Sequence, residues 1–270
     1  MIKSFALIAA TAASLAAPAW AAAPSETGAD KIETLAVGTP LTRFSMLVPS
    51  TRLYLRYKII GEARETLDIW RRQISYENYE GKRAMHIFWR WDSVTEPKFN
   101  RTEDFWFEPE TFRPLTVVRH LSKDGQQTVG GYRYLTDRIV GMKELPDNPR
   151  KDFVQLAKMA PFNFETDMEL LEALPLKSGY AVRIPFYEAG PGQEEPKYYD
   201  YRVVGEDHIS AADGHTIDCW VVEAPTTNPD WGTTHFWLAK QGQVMLREET
   251  KTKDGTVWVK LLLTPDVAMT

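Results

Sequence analysis

Between residues 53 and 59, Leu53, Leu55, Tyr57 and Ile59 alternate with Tyr54, Arg56 and Lys58. A two-residue period is that of a strand with one face buried, and here it assigns the aliphatic positions to the buried side. The stretch 67–76 is extended in character with a weaker pattern, and Gly81 marks a hairpin turn after it. Met85, Ile87, Trp89 and Trp91 then share one face, while Ala84, His86, Phe88, Arg90 and Asp92 share the other. In the next strand Phe105 and Phe107 oppose Asp104, Trp106 and Glu108. A turn at 109–114, a strand at 115–121, the turn Lys123-Asp124-Gly125 and a strand near 131–135 complete a first β run.

The middle of the chain changes period. Asn148 is placed to cap a helix with Pro149 at its first position, and Phe153, Leu156, Ala157 and Ala160 fall on one helical face before Pro161. Thr166 and Glu169 have the spacing of a capping box, and Met168, Leu171 and Leu174 line one side of the short helix that ends at Pro175. Helices this short are marginal alone in water and need a partner face. Alternation then resumes with Tyr180, Val182, Ile184 and Phe186, and five further strands are predicted at 199–209, 215–223, 233–239, 244–250 and 256–263. Turn signals at Asp213-Gly214, Gln241-Gly242 and Asp254-Gly255 make this second run an antiparallel meander.

The two runs resemble one another. Phe105-Trp106-Phe107 and Phe236-Trp237-Leu238 are each followed by a turn, a charged strand and Lys-Asp-Gly, with one turn residue accounting for the difference in length. This suggests duplication of a β unit within one composite sheet, since the period is far longer than that of a solenoid. The predicted organisation is a segment 1–21 removed on export, an extension 22–50, a first β run 51–145, a helical insert 146–176 and a second β run 177–270. The fold class expected is mainly β: a curved antiparallel sheet or incomplete barrel covered by the insert.

Composition narrows the function classes. A net charge of −5 leaves no basic excess to meet nucleic-acid phosphates. Lys3, an apolar run over 5–17 and the small-x-small triplet Ala19-Trp20-Ala21 read as a cleavable signal peptide cut between Ala21 and Ala22. No later stretch is apolar for long enough to be a transmembrane helix, so the mature chain is expected in the periplasm with no transmembrane segment. A single cysteine, Cys219, forms no internal disulfide.

Motifs for catalysis are sparse. There is no Gly-x-Ser-x-Gly elbow, no phosphate-binding glycine loop and no legible carboxylate pair, so neither a catalytic residue nor a cofactor is assigned. Asp207, His208, Asp213, His215, Asp218 and Cys219 form a loose cluster, but its spacing is not that of a zinc site and no metal is assigned. The strongest positive signal is aromatic: nine Trp, eleven Tyr and twelve Phe. Inward aromatics on a bent sheet either fill a dry core or line a pocket.

Leu174-Pro175-Leu176 with Gly179, Val203-Val204-Gly205-Glu206, Asp213-Gly214, Phe236-Trp237-Leu238 and Asp254-Gly255 carry a family resemblance. Over the last third of the chain the sequence resembles a bacterial envelope family of unknown function grouped with the periplasmic lipoprotein carriers and their outer-membrane receptors. The resemblance implies an incomplete antiparallel barrel with an apolar concave face, covered by helices, that shields acyl chains. It places no lid arginine or membrane-insertion loop on any residue here.

The expected function is therefore noncatalytic binding or carriage of a lipid or other apolar small molecule in the cell envelope. Strand parity assigns the ligand face to Met85, Ile87, Trp89, Trp91, Phe105, Phe107, Tyr180, Val182, Ile184, Phe186, Phe236, Val257, Val259 and Leu261. An alternative is an assembly or scaffolding protein that meets an envelope partner through the outward aromatics Trp106, Trp237 and Trp258. A third reading is a hydrolase whose site assembles only in space.

Overall fold

The computed structural model describes residues 32–263 apart from 97, 191, 194, 212, 213 and 225–229. The signal segment 1–21 with its cut, and Asp213 of the loose cluster, lie outside the described residues. The first β run forms strands β2 (Ser50–Ile60), β3 (Ala63–Tyr79), β4 (Lys82–Ser93), β5 (Phe99–Glu108), β6 (Arg113–Lys123), β7 (Gln126–Tyr134) and β8 (Arg138–Gly141), after a short β1 (Glu33–Thr34). The insert holds β9 (Val154–Leu156), β10 (Phe162–Asn163) and one helix, α1 (Asp167–Glu172). The second run forms β11 (Ala181–Tyr187), β12 (Lys197–Ser210), β13 (Thr216–Ala224), β14 (Trp231–Ala239), β15 (Met245–Thr252) and β16 (Val257–Leu262).

These strands make a single mostly antiparallel sheet whose order runs β1-β11-β12-β13-β14-β15-β16-β2-β3-β4-β5-β6-β7-β8-β9. The sheet curves without closing. β7 and β11 lie far apart in that order, yet the Tyr134 hydroxyl donates to the Tyr187 carbonyl at 3.2 Å. The mainly β, curved-sheet fold expected from the alternation is the fold observed.

Two six-strand meanders, β11–β16 and β2–β7, sit side by side and are joined by the antiparallel pairing of β16 with β2. They match in detail. The register shifts between Trp106 and Phe107 in one and between Trp237 and Leu238 in the other. Each bulge is followed by a buried residue with left-handed backbone, Phe112 at φ 52° and Gln243 at φ 55°. The intervening loops, 109–112 and 240–243, are equal in length, so the missing residue is not there. It is lost from the strand between the turns, which is shorter as 244–252 than as 113–123, while the Lys-Asp-Gly turn itself is one residue longer in the second meander, 253–255 between Thr252 and Thr256 against Asp124-Gly125 between Lys123 and Gln126.

The first predicted helix, 149–160, does not form. Asn148 is buried and donates to the carbonyls of Gly131 and Met142, both at 3.0 Å, while its Oδ1 accepts from the Arg150 N–H at 3.0 Å. The following residues pair with β8 as β9. An exposed sheet edge offers backbone partners that a two-to-three-turn helix cannot match. Gly141 permits the close approach, because a Cβ there would sit 1.7 Å from the Arg150 carbonyl oxygen. The capping box is also absent: Asn163 accepts from the Glu165 N–H, and Glu169 is drawn away to an arginine.

The core fills one end of the concave face. Met85, Ile87, Phe105, Phe107 and Ile74 from the sheet and Phe112 from the loop 109–112 meet Phe44 of a 3-10 turn (Phe44–Met46), Leu47 just after it, and Leu170, Leu171 and Leu174 from the insert. The Gln243 amide reaches the carbonyls of Leu171, Glu172 and Leu174 at 3.0, 3.0 and 2.6 Å, closing the end of α1.

Candidate functional site: a cationic and aromatic cavity

At the other end of the concave face lies a cavity of about 680 Å³. Strand register builds its wall. Arg56 on β2 stands opposite Lys260 on β16 and Asp68 on β3. Trp70 stands opposite Trp91, which in turn faces Arg101 on β5. Arg72 stands opposite Trp89, which faces Glu103. Because side chains alternate between the faces of a strand, each of these rows projects to the same side.

The indoles pack together: Trp70 and Trp89 are stacked with centroids 4.9 Å apart, and Trp91 tilts against Trp70 at 5.4 Å. Cations cover them, Arg56 at 4.7 Å from Trp70 and 4.5 Å from Trp91, Arg72 at 4.9 Å from Trp89, and Lys260 at 4.6 Å from Trp70. Such contacts stabilise by about 0.5–2 kcal/mol each, more when desolvated.

Every one of these cations also holds a carboxylate. Arg56 grips Asp68 through two bonds of 2.7 and 2.6 Å. Arg72 grips Glu169 of α1 at 2.7 and 2.6 Å, with both side chains 2–3% exposed. Arg101 pairs with Glu165 and Glu103, and Lys260 pairs with Glu248. Asp167 is different: it lines the cavity yet forms no ion pair with any described residue. Burial and the nearby Glu248 carboxylate push its carboxyl up to about 7, against the pull of Lys260 and Arg72. The same carboxyl, second to burial, holds the Tyr201 phenol well above its usual range. Glu103 is likewise held above the usual carboxylate range, by burial first and by Glu165 second. The wall carries four cations (Arg56, Arg72, Arg101, Lys260) and four acids (Glu165, Asp167, Glu188, Glu248).

Of the fourteen positions assigned by parity, Trp89, Trp91 and Phe236 line this cavity. Met85, Ile87, Phe105, Phe107, Val182, Ile184 and Phe186 lie in the packed core, with Tyr180 half-buried against it. Val257, Val259 and Leu261 require a correction. Lys260 lines the cavity, so its flanking neighbours point to the opposite face. The same reversal holds for β2, where Tyr54 is fully buried and Arg52 and Arg56 face inward, rather than Leu53, Leu55, Tyr57 and Ile59. Parity chose the greasier face, and at this end of the sheet the inside is the charged one.

Arg56, Arg72, Arg101 and Lys260 were thus not foreseen; the acids at 165, 169 and 172, spaced one helical face apart, were the signal that cations must face the insert. The aromatics expected on the outside do not form an open patch. Trp106 is stacked between Tyr79 and His86, and Trp237 donates to Asp207. Trp258 is on the other face: it stands two residues from Lys260 and opposite Thr250, both of the cavity wall, and tilts onto Trp231, which also lines the cavity. His208 and His215 are exposed while Cys219 is buried, with its thiol pushed up to about 12 chiefly by burial. Among the described residues no group of three or more His, Cys, Asp or Glu could hold a metal ion.

A family model of proteins of unknown function, DUF3108, matches residues 55–264, from within β2 to just past β16. The chain belongs to the DUF3108 family. Both meanders and the insert fall within the matched segment, so the cavity is built almost wholly from family sequence. No curated protein matches the chain. Among solved structures it is similar to a β-barrel-like protein of the domain of unknown function DUF1849 from Brucella abortus, with 9% identity, a TM-score of 0.51, and coverage of 81% of this chain and 97% of that one. It is also similar to a DUF1329 family protein from Desulfovibrio piger ATCC 29098, with 12% identity, a TM-score of 0.27, and coverage of 87% and 89%. The first likeness concerns the fold.

Proposed function

We propose that the protein binds an amphipathic ligand, without catalysing a reaction on it, in the cavity at the open end of its curved sheet. The observation that carries this reading is the cavity itself. Its volume of about 680 Å³ falls in the range of small-molecule sites, about 300–1,000 Å³. Kept dry and empty, it would cost about 16 kcal/mol at about 24 cal/mol per Å³, more than the stability of a typical domain. Water or a guest therefore fills it. Its wall combines Trp70, Trp91, Met168 and Phe236 with charged groups, which suits a molecule having both an apolar body and a polar end.

The same reading is supported by the expectation of export: the segment 1–21 has the features of a signal peptide, and in a periplasmic protein an amphiphile crossing an aqueous space would need cover. The resemblance to periplasmic lipoprotein carriers is consistent with an unclosed β scaffold performing carriage. The test is native mass spectrometry of protein purified from the periplasm, with uptake of a fluorescent acyl probe. We expect a bound amphiphile released on denaturation and one probe molecule per chain. A ligand-free spectrum with no probe uptake would overturn the proposal.

A further inference from the structure

Five N–H donors in the cavity wall have no acceptor among the described residues: the indole Nε1 of Trp70, Trp89 and Trp91, Nη1 of Arg72 and Nε of Arg101. They are neighbours in the sheet register, Trp70 opposite Trp91, Trp91 opposite Arg101 and Arg72 opposite Trp89. A buried donor without an acceptor costs about 1–3 kcal/mol, so five on one wall call for a physical reason. The one unpaired acceptor beside them is Oε2 of Glu103. Among the solvent-shielded atoms the imbalance runs one way, five donors to one acceptor, although the carboxylates of Asp167 and Glu188 also face the cavity.

Resting on the cavity-binding reading, we propose that the polar end of the guest is an oxyanion of the phosphate type, seated against Trp70, Trp91, Arg72 and Arg101. A polyhydroxylated guest brings donors as well as acceptors and would leave part of the surplus unmet. A fully ionised phosphate accepts only, and charge-assisted bonds to it are the stronger kind. The five donors are shut off from solvent, so the guest reaches them by a small rotation of the indoles. Trp91, half-buried and the more tilted of the two rings on Trp70, is the one placed to turn. The same chemistry is offered by a phospholipid headgroup and by free phosphate.

The probes are 1-palmitoyl lysophosphatidate, 1-palmitoylglycerol with the same chain and no phosphate, and inorganic phosphate. Each is titrated by calorimetry and by tryptophan fluorescence against wild type, Trp91→Phe and the outer-face control Trp106→Phe, with circular dichroism to check folding. We expect lysophosphatidate to bind at least about ten-fold tighter than palmitoylglycerol. Trp91→Phe should weaken lysophosphatidate about five-fold and leave palmitoylglycerol unchanged, while Trp106→Phe alters neither. Equal binding of both acyl probes overturns the oxyanion seat and leaves the cavity reading standing. Inorganic phosphate binding as tightly as lysophosphatidate upholds the seat and overturns the amphiphile. Unchanged lysophosphatidate affinity in folded Trp91→Phe overturns the location, and no binding of any probe overturns both.

Discussion

Asp167 is the acid on the cavity wall that no described cation neutralises, and its surroundings favour the proton. Glu248 and Glu169 lie near, Lys260 and Arg72 oppose them, and the carboxyl stands at about 7 instead of the ordinary 3.8. The folded state therefore binds this proton more tightly than the unfolded chain does. Its contribution to stability is complete below about pH 3.8 and is lost as pH rises through about 7. Asp167→Asn mimics the protonated form at every pH. The substitution should be nearly neutral at pH 3, already stabilising at pH 5 and most stabilising at pH 7 and above, with urea midpoints measured at pH 3, 5, 7 and 8. A difference between variant and wild type that does not grow with pH would show that Asp167 is ionised throughout. None of this was legible in the sequence, where Asp167 is one acid among thirty-seven. Residue-scale reading succeeded where the inside is apolar, as for Met85, Ile87, Phe105 and Phe107, and failed where it is charged, as for Arg56 and Lys260.

At the scale of elements, the insert is held by charge as much as by grease. Glu165, Glu169 and Glu172 are spaced by four and three residues, and each meets an arginine of the sheet. Arg52 grips Glu172 at 2.6 and 2.7 Å, Arg72 grips Glu169, and Arg119 reaches Glu165 at 2.7 Å. Arg52, Arg72, Trp89, Glu103 and Arg119 stand opposite one another across five strands, so one row of the sheet receives one face of the insert. Desolvating such pairs offsets much of their attraction, while stranding one partner is costly. Arg72→Leu and Glu169→Leu should therefore each destabilise by about 3–5 kcal/mol, and the double variant should recover most of that loss. A urea double-mutant cycle measures it, and additive losses would mean that the two side chains act independently. Strands were legible here because antiparallel alternation is a local signal. The helix 149–160 was misread because the free edge of β8, a partner remote in the chain, claims the segment as β9.

At the scale of the molecule, the later half of the chain precedes the earlier half in the sheet, and the two meet at the β16–β2 ladder. The internal likeness of the halves was readable from Phe-Trp and Lys-Asp-Gly; their order in space was not, since it depends on which edge of each meander is free to pair. The seam is more than a ladder. Tyr54 of β2 donates to the Met245 carbonyl of β15 at 3.0 Å, and the Met245 N–H donates to Glu172, which Arg52 of β2 holds. Breaking the halves apart would strand these buried groups, so opening at the seam requires losing the cavity wall and the insert together. Amides paired across β16 and β2, such as those around Arg56 and Lys260, should then exchange hydrogen only through global unfolding, and their exchange free energy should equal that from urea denaturation. β9, paired on one side only, should exchange orders of magnitude faster. Seam amides exchanging as readily as those of β9 would mean that the two meanders separate as independent units, and that the cavity between them opens by parting the sheet at its middle.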